Sequence, residues 1–300
     1  LAISPKALNA QDNKQAVKVH VHKVDETLVN YKDNKPVTKN VASEGKVFGL
    51  FSKDAIKVGS TIVVPADGML GTATTKAGIA EMAALKVPNG HFYVKELEAG
   101  DVHVLDKNKY DFEYTAENND QEINIDIKKD DPIVNEMYRG EFSVLKLNEK
   151  IDSQDNNGNH SHYAPTAKGA KFGLYNKDNE LIETVTADAA SKVNFKDVVV
   201  GEYTLKELAT SDNEHVLNPS SWKITVSKDG VKVLDNKGNN VDPKDGMAVV
   251  IKNEQKVGDV DITKKDTTND KELPGAKLTV TGDNGTHITW TSTNEAKHIK

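Results

Sequence analysis

Cysteine is absent from this 300-residue sequence, so disulfide bonds cannot stabilise the fold and thiol chemistry is excluded. No apolar run approaches the length of a membrane-spanning helix, so we expect no membrane span in this segment. An excess of positive charge is also lacking: the net charge is −7, which argues against nucleic acid or an anionic membrane as the main partner. The lack of cysteine fits a cytosolic protein, or a surface protein that is held together in another way.

The signatures of a turnover enzyme and of a metal site are missing as well. We find no Ser/His/Asp arrangement at a nucleophile elbow and no phosphate-binding loop, so we expect neither an enzyme with turnover nor a cofactor. Nine histidines are present, but His20 and His22 lie on the outward face of a predicted strand, and His160 and His162 lie in a predicted loop. No convincing further ligands accompany these pairs, so we interpret them as surface residues and expect no metal.

Three sequence patterns each occur twice. They are G-x-x-F-G-L-[FY]-x-K-D at 45–54 and 169–178, G-x-[FY]-x-[VL]-K-E-L at 90–97 and 201–208, and N-E-x-x-x-G at 135–140 and 253–258. The repetition predicts two complete domains at 16–137 and 138–255, preceded by an N-terminal tail at 1–15. The opening pattern recurs once more, which predicts the start of a third, incomplete domain at 256–300.

Short segments with alternating apolar residues, separated by turn signals such as Asn-Gly, dominate both complete copies. Ile123, Ile125 and Ile127 are one example, since every second residue is apolar. The alanine-rich segment 73–86 would pass for a helix on propensity, but its alignment with a strand of the second copy favours β structure. Residues 31–44 are expected to form a polar loop. The fold class is therefore predicted to be all-β, with tandem Ig-like β-sandwich domains.

Each complete copy places three polar residues in line with apolar ones. In the first strand, for example, Lys23 has the same parity as Val17, Val19 and Val21, so it should point into the core. The polar residues are Lys23, Glu96 and Asn135 in the first copy, Lys146, Glu207 and Asn253 in the second, and Lys264 alone in the third. Because burying an unpaired charge is costly, such groups normally pair, neutralise or react.

Three interpretations of this set remain open on the residues alone. The Lys and Glu could form a buried ion pair with a hydrogen-bonded Asn, or the register could slip by one and expose the Lys. Alternatively the Lys and Asn have reacted: burial favours a neutral amine and a protonated Glu, and the amine can attack the Asn side chain with loss of ammonia. Lys150 shares the parity of Lys146, but only Lys146 has the spacing to the preceding Asn that Lys264 has.

The constellation resembles the CnaB-type, isopeptide-forming domains of Gram-positive surface adhesins and pilins. The resemblance covers the chain from residue 16 and rests on the [FY]-x-x-K-E-L segment, the terminal Asn, and K-x-[DN] at 23–25, 146–148 and 264–266. It implies a Lys–Asn bond between first and last strands, formed once with Glu96 or Glu207 as the catalytic residue. Lys23 would then bond to Asn135 and Lys146 to Asn253, while Lys264 would have its partners beyond residue 300.

By this resemblance the segment is expected to be a structural stalk or shaft of an extracellular, cell-wall-anchored adhesin or pilus. The anchor is not in this segment, because the L-P-G-A-K at 273–277 departs from the L-P-x-T-G sorting signal. One alternative is a sortase-polymerised backbone pilin, although no Y-P-K-type pilin motif is found. Another is a module that binds a host matrix or cell-surface ligand, for which the segments 31–44 and 55–75 would be the place to look. Other pilus subunits are further expected partners.

Overall fold

The computed structural model describes residues 15–115, 122–241 and 248–300, and these residues contain strands and turns but no helix. The predicted N-terminal tail lies outside the described residues except for Gln15. Residue contacts divide the chain into two compact units. The first consists of Leu1–Gly140 with Asp197–Gly201 and Val226–Gly230, and the second of Glu141–Lys196, Glu202–Thr225 and Val231–Lys300. The all-β prediction is confirmed.

The described residues of the first unit that precede residue 136 contain twelve strands. They are β1 Gln15–Lys32, β2 Lys35–Ala42, β3 Val47–Ser52, β4 Ile56–Val58, β5 Thr61–Val64, β6 Gly68–Lys76, β7 Ile79–Glu81, β8 Leu85–Val87, β9 Gly90–Glu98, β10 Tyr110–Tyr114, β11 Ile123–Ile127 and β12 Ile133–Asn135. The long strand β1 lies parallel to β11 and β12 and antiparallel to β2, β7 and β8. Strand β3 lies between β6 and β9, and β10 pairs with β9.

The apolar faces of β1, β3 and β9 form the core of this unit. Val19, Val21, Phe48 and Val94 are buried there, because alternate residues of each strand point to the same side. The first strand is therefore central, and any polar residue on its inner face must lie in the core.

Thirteen strands follow in the part of the chain that the structure describes after residue 138. They are β13 Arg139–Asp155, β14 Gly158–Ala164, β15 Lys171–Asn176, β16 Leu181–Thr186, β17 Lys192–Val199, β18 Gly201–Ala209, β19 Ser221–Ser227, β20 Gly230–Leu234, β21 Val249–Asn253, β22 Val260–Ile262, β23 Lys277–Thr281, β24 His287–Thr291 and β25 Lys297–Ile299. Strand β13 corresponds to β1, since it pairs with β14 and lies parallel to β21. It also contributes Phe142, whose ring stacks on that of Phe195 with the centroids 4.9 Å apart. Strands β16, β15, β18, β19 and β20 form the second sheet.

The predicted third copy contributes four short strands. Strand β22 pairs with β25 and β23 with β24, and β24 meets β13 at the pair Asp155 and His287. These residues belong to the second compact unit. The three-domain division of the sequence stays a prediction.

Two expected loops are instead strands. Within 31–44, β1 continues to Lys32 and turns at Asp33 and Asn34, whose φ angles of 51° and 61° are typical of a type I′ hairpin, into β2. Most of 55–75 forms β4, β5 and the start of β6. Strand β2 contains no buried residue, so it is defined by main-chain pairing with β1 and not by a hydrophobic face. The periodicity of apolar residues in the sequence therefore cannot detect it. The β structure expected for 73–86 is found.

Candidate functional site

The two lysines with core parity are buried. Lys23 on β1 is 1% exposed and Lys146 on β13 is 0% exposed, in line with Val21 and Val144 respectively. This excludes a register that turns either lysine outward. Lys150, two positions beyond Asn148 on the same strand, is exposed. The structure therefore agrees with the choice of Lys146 over Lys150 as the core lysine.

The glutamates and asparagines of the set lie beside these lysines. Glu96 on β9 is opposite Phe48, and Glu207 on β18 is opposite Phe172, after a register shift of the neighbouring strand in each case. Their exposed fractions are 4% and 5%. Asn135 ends β12 and Asn253 ends β21, and each is 1% exposed. The burial that strand parity predicts for all six residues is confirmed.

Strand register gives both domains the same Lys–Asn offset. In the first, Lys23 pairs with Ile133 and Asp25 with Asn135; in the second, Lys146 pairs with Ile251 and Asn148 with Asn253. Each Asn therefore lies diagonally across from its Lys on a parallel neighbouring strand and on the same face. Diagonal neighbours are about 7–8 Å apart at the backbone, a separation that the long side chain of a lysine can span.

Each Asn amide contacts the Glu of its own domain. Asn135 Nδ2 donates to Glu96 Oε1 at 2.6 Å, and Asn253 Nδ2 donates to Glu207 Oε1 at 2.7 Å. The side-chain oxygens of both asparagines are buried without a hydrogen-bond partner. A buried acceptor without a hydrogen bond is costly. Rotating the Asn side-chain amide by 180° exchanges its oxygen and nitrogen. After that turn, a protonated Glu could donate to the Asn carbonyl and polarise it.

Backbone amides hold the second carboxylate oxygen of each Glu. Asp106 N donates to Glu96 Oε2 and Asn218 N donates to Glu207 Oε2, both at 2.8 Å. Burial raises the pKa of Glu96, although these hydrogen bonds and Lys23 oppose the shift. The protonated form of Glu96 is thus favoured relative to an exposed Glu, as a proton donor requires.

Burial also favours the neutral form of both lysines. It lowers the pKa of Lys146 to about 8, against the attraction of Glu207, whose Oε1 lies 4.0 Å from Nζ. The other contacts of that amine are the carbonyl oxygens of Ile251 at 3.3 Å and Leu147 at 3.4 Å. Burial lowers the pKa of Lys23 as well, although Asp25 opposes the shift. A neutral amine is the nucleophilic form.

Lys264 has a different environment from the other two lysines. It follows β22, its side chain is half-buried, and its backbone N–H donates to Glu272 Oε2 at 3.2 Å. No Glu or Asn side chain among residues 256–300 is buried. Its predicted role stays a prediction.

A second repeated set of residues was missed in the sequence. Glu26 and Glu149 each follow the buried lysine of their domain by three positions. Each accepts a hydrogen bond from a backbone N–H just after the terminal Asn: Met137 N at 3.1 Å and Gln255 N at 3.0 Å. A histidine contacts each of these glutamates. His103 Nε2 lies 2.7 Å from the carbonyl oxygen of Glu26, and His215 Nε2 lies 2.8 Å from that of Glu149.

These contacts join the chain that leaves each domain to the strand that enters it. The signal was available, because K-x-[DN]-E and H-V-L-[DN] both recur, the latter at 103–106 and 215–218.

The histidines singled out in the sequence form pairs with carboxylates. His22 Nε2 lies 2.8 Å from Asp126, His160 Nε2 lies 2.8 Å from Asp155, and His162 Nδ1 lies 2.6 Å from Asp152. His160 and His162 belong to β14 and not to a loop, because the turn at 156–157 is tighter than expected. In the described ranges no three or more His, Cys, Asp or Glu side chains are grouped so as to hold a metal ion.

The fold and the buried sets define a class: tandem β-sandwich domains with a Lys, a Glu and an Asn in the core. Residues 161–240 match the family model described as SpaA, prealbumin-like fold domain. Over these residues the match is consistent with the resemblance to CnaB-type domains found in the sequence. No curated protein matches the chain in sequence.

The chain also matches several solved structures. The Bacillus anthracis TIE protein is 20% identical with a TM-score of 0.54, over 95% of this chain and 43% of that one. The minor pilin GBS52 of Streptococcus agalactiae is 15% identical (TM-score 0.29, 81% of this chain and 97% of that one). A C-terminal fragment of the pilus adhesin SpaC of Lactobacillus rhamnosus GG is also 15% identical (TM-score 0.42, 79% and 98%). The chain thus spans less than half of the TIE protein.

None of the described residues forms a helix with the length and apolar character needed to cross a membrane.

Proposed function

We propose that this chain is a structural stalk or shaft segment of a Gram-positive surface adhesin or pilus, in which each complete domain is closed by a Lys–Asn isopeptide bond. One observation carries the proposal: both domains bury the same Lys, Glu and Asn, with the same diagonal offset between parallel first and last strands. A buried ion pair alone would need neither the Asn nor its hydrogen bond to the Glu.

The reaction in the second domain begins with the neutral amine of Lys146. Its nitrogen attacks Cγ of Asn253 while a protonated Glu207 donates a hydrogen bond to the amide oxygen. The new bond joins Nζ to Cγ, the bond between Cγ and Nδ2 breaks, and Glu207 carries the amine proton to the leaving nitrogen. One ammonia leaves, and Glu207 returns to its starting state. Lys23, Glu96 and Asn135 play the same parts in the first domain.

The position of the bond gives it a mechanical role. Lys23 lies on the strand by which the chain enters its domain, and Asn135 ends the strand by which it leaves. A covalent link between them encloses more than a hundred residues, so tension on the chain bypasses most of the sheet. By the loop-entropy argument, such a link also stabilises the fold by about 4–5 kcal/mol.

The proposed setting follows from the class. The solved structures of similar fold include proteins titled minor pilin and pilus adhesin. For this chain we infer an extracellular location on a cell-wall-anchored protein. Its expected partners are other pilus subunits, or a host ligand at another part of the protein. No step requires a cofactor, and each domain reacts once.

Intact-mass spectrometry of the full chain tests the bonds. We expect a mass lower than the sequence mass by one ammonia for each complete domain. Glu96→Gln should restore one ammonia, because the acid that polarises Asn135 and carries its protons is gone. Glu98→Gln on the same strand is the control, since Glu98 is exposed and should leave the mass deficit unchanged. A wild-type mass equal to the sequence mass would refute the proposal.

A further inference from the structure

The two buried lysines have different immediate partners. Lys23 Nζ contacts Asp25 Oδ1 at 2.6 Å and the carbonyl oxygen of Val24 at 2.6 Å. Asp25 is itself 5% exposed. The lysine of the first domain is therefore bound to a buried carboxylate other than Glu96.

The second domain has Asn148 at the position of Asp25. Asn148 Nδ2 donates to Ser211 Oγ at 2.9 Å and to the carbonyl oxygen of Thr166 at 3.4 Å. The carboxylate within 4.0 Å of Lys146 Nζ is that of Glu207. The two domains thus share the reacting groups and differ in one charge beside the nucleophile.

A second lysine lies close to both Lys23 and Asp25, and burial and this second charge both lower the pKa of Lys23. Lys46, which precedes β3 and is 9% exposed, has its Nζ 3.9 Å from Asp25 Oδ2. His103 Nδ1 lies 3.2 Å from the same Nζ, and Glu96 faces Lys23 from β9. Ala170 occupies the position of Lys46 in the second domain, two residues before the repeated Phe. The pair Asp25 and Lys46 is thus specific to the first domain.

We propose that Asp25 is a positioning residue that binds the ammonium form of Lys23, opposes its loss of a proton and delays the first domain's isopeptide bond, so that the second domain closes first. The inference rests on the proposed function, since it concerns the timing of that reaction. An ammonium cannot attack the Asn amide, and an ion pair in a buried site stabilises the charged form.

The proton has a defined route. For Lys23 to react, its ammonium must pass one proton to the Asp25 carboxylate, with which it forms a contact of 2.6 Å. The neutral amine then forms the bond to Asn135 Cγ, the Cγ–Nδ2 bond breaks, and ammonia leaves. The proton held by Asp25 returns to solvent or to the departing ammonia as ammonium. Lys146 has no such carboxylate and needs only to lose its proton to solvent or Glu207.

A reciprocal exchange tests the inference. The full chain is isolated unfolded in urea, where the buried sites do not exist, and refolded by dilution at pH 6 to 9. Acid-quenched samples are digested, and the cross-linked peptide of each domain is quantified by mass spectrometry. In the wild type, the peptide joining Lys146 to Asn253 should form before the one joining Lys23 to Asn135. Asp25→Asn should accelerate the first domain, and Asn148→Asp should slow the second.

The size of the effect follows from the amine fraction. At neutral pH the rate should rise by about tenfold for each unit by which Asp25→Asn lowers the pKa of Lys23. A slower or unchanged first domain in Asp25→Asn would overturn the inference, the slower result identifying Asp25 as a helpful base. Circular dichroism of each variant confirms folding, and Asn148 itself shows that an amide fits this position.

A second measurement does not depend on the reaction. In an Asn135→Ala, Asn253→Ala chain neither bond can form, and NMR titration of the Lys23 side chain reports its protonation directly. Asp25→Asn in that background should lower the midpoint; an unchanged midpoint would refute the charge-holding role. If the wild type forms no bond while this midpoint still falls, the proposed function fails and the ion-pair assignment stands.

Discussion

Lys146→Met isolates the contribution of the proposed Lys146–Asn253 bond to stability. The side chain of Lys146 is 0% exposed, and methionine is unbranched, of similar length and adaptable in packing. The substitution therefore removes the nucleophile without leaving a cavity of several atoms or a buried cation. Glu207 keeps the backbone amide of Asn218 and the amide of Asn253 as partners.

The expected loss is set by the loop that the bond encloses. Lys146 and Asn253 are separated by more than a hundred residues, for which the entropy of cross-linking amounts to about 4.7 kcal/mol at 25 °C. Whole domains of this size are stable by about 5–15 kcal/mol, so the second domain should remain folded but lose a large share of its stability. Replacing the buried amide of the proposed bond by an apolar side chain removes its desolvation cost and offsets part of this loss, so about 4–5 kcal/mol is an upper value.

Guanidinium unfolding followed by tryptophan fluorescence measures the change. Trp222 is 8% exposed in the core of the second domain and should report its unfolding. Lys150→Met is the matched control, because Lys150 lies on the same strand but is exposed. Both variants replace one Lys by Met, so the mass of Lys146→Met should exceed that of Lys150→Met by one ammonia. Equal ammonia deficits, or equal midpoints in the two variants, would show that Lys146 forms no bond.

Two further predictions concern groups outside the bond. Burial lowers the pKa of His215, but the hydrogen bond to Asp212 and the contact with the Glu149 carbonyl outweigh it and raise the pKa above its usual value. The stabilising contribution of His215 is therefore complete below about pH 6.5 and is lost as pH rises through its folded pKa. The difference in unfolding free energy between wild type and His215→Asn should then shrink from pH 5.5 to 8.5 in urea titrations. A difference that stays constant over this range would contradict the prediction. Gly49→Ala should destabilise the first domain by about 1–3 kcal/mol, and more than Gly173→Ala destabilises the second, in thermal unfolding. A Cβ at Gly49 would lie 2.6 Å from the Phe51 ring, which is fixed by stacking on Tyr93. At Gly173 it would lie 2.8 Å from Leu181 Cδ1 and 2.9 Å from Leu208 Cδ1, which are ends of flexible side chains, so equal effects of the two substitutions would contradict this expectation.

The core polar residues could be predicted because strand parity is a strict rule. A residue in register with Val19 and Val21 must share their side of the sheet, and Lys23 follows them without interruption. The pattern occurs in two separate segments, which strengthened the prediction that the lysine is buried. In both segments the lysine is 1% exposed or less. The same reasoning succeeded for Glu96 and Glu207, where the K-E-L pattern fixed the parity.

The features that the sequence did not predict depend on contacts between distant segments. The polar strand β2 is defined by backbone pairing with β1, and no apolar face marks it in the sequence. The contact of His103 with Glu26 joins residues 77 positions apart, and neither residue has an apolar pattern that predicts burial. Asp25 was visible as part of K-x-D, but its contact with Lys23 depends on the buried position of both side chains.

The junction around residues 135–146 combines these observations. Asn135 ends a strand that pairs with β1, and Lys146 lies on a strand that pairs with β21, so the strand pairing gives them different partners although they are close in sequence. Glu26 accepts a hydrogen bond from the chain just beyond Asn135, and His103 forms a backbone bridge with Met137 there. Glu149 and His215 make the equivalent contacts beyond Asn253. Hydrogen bonds of this kind yield under load, whereas a bond between Lys and Asn does not. In each domain the hydrogen-bonded contacts therefore position the last strand, and the proposed covalent bond just inside them carries the tension.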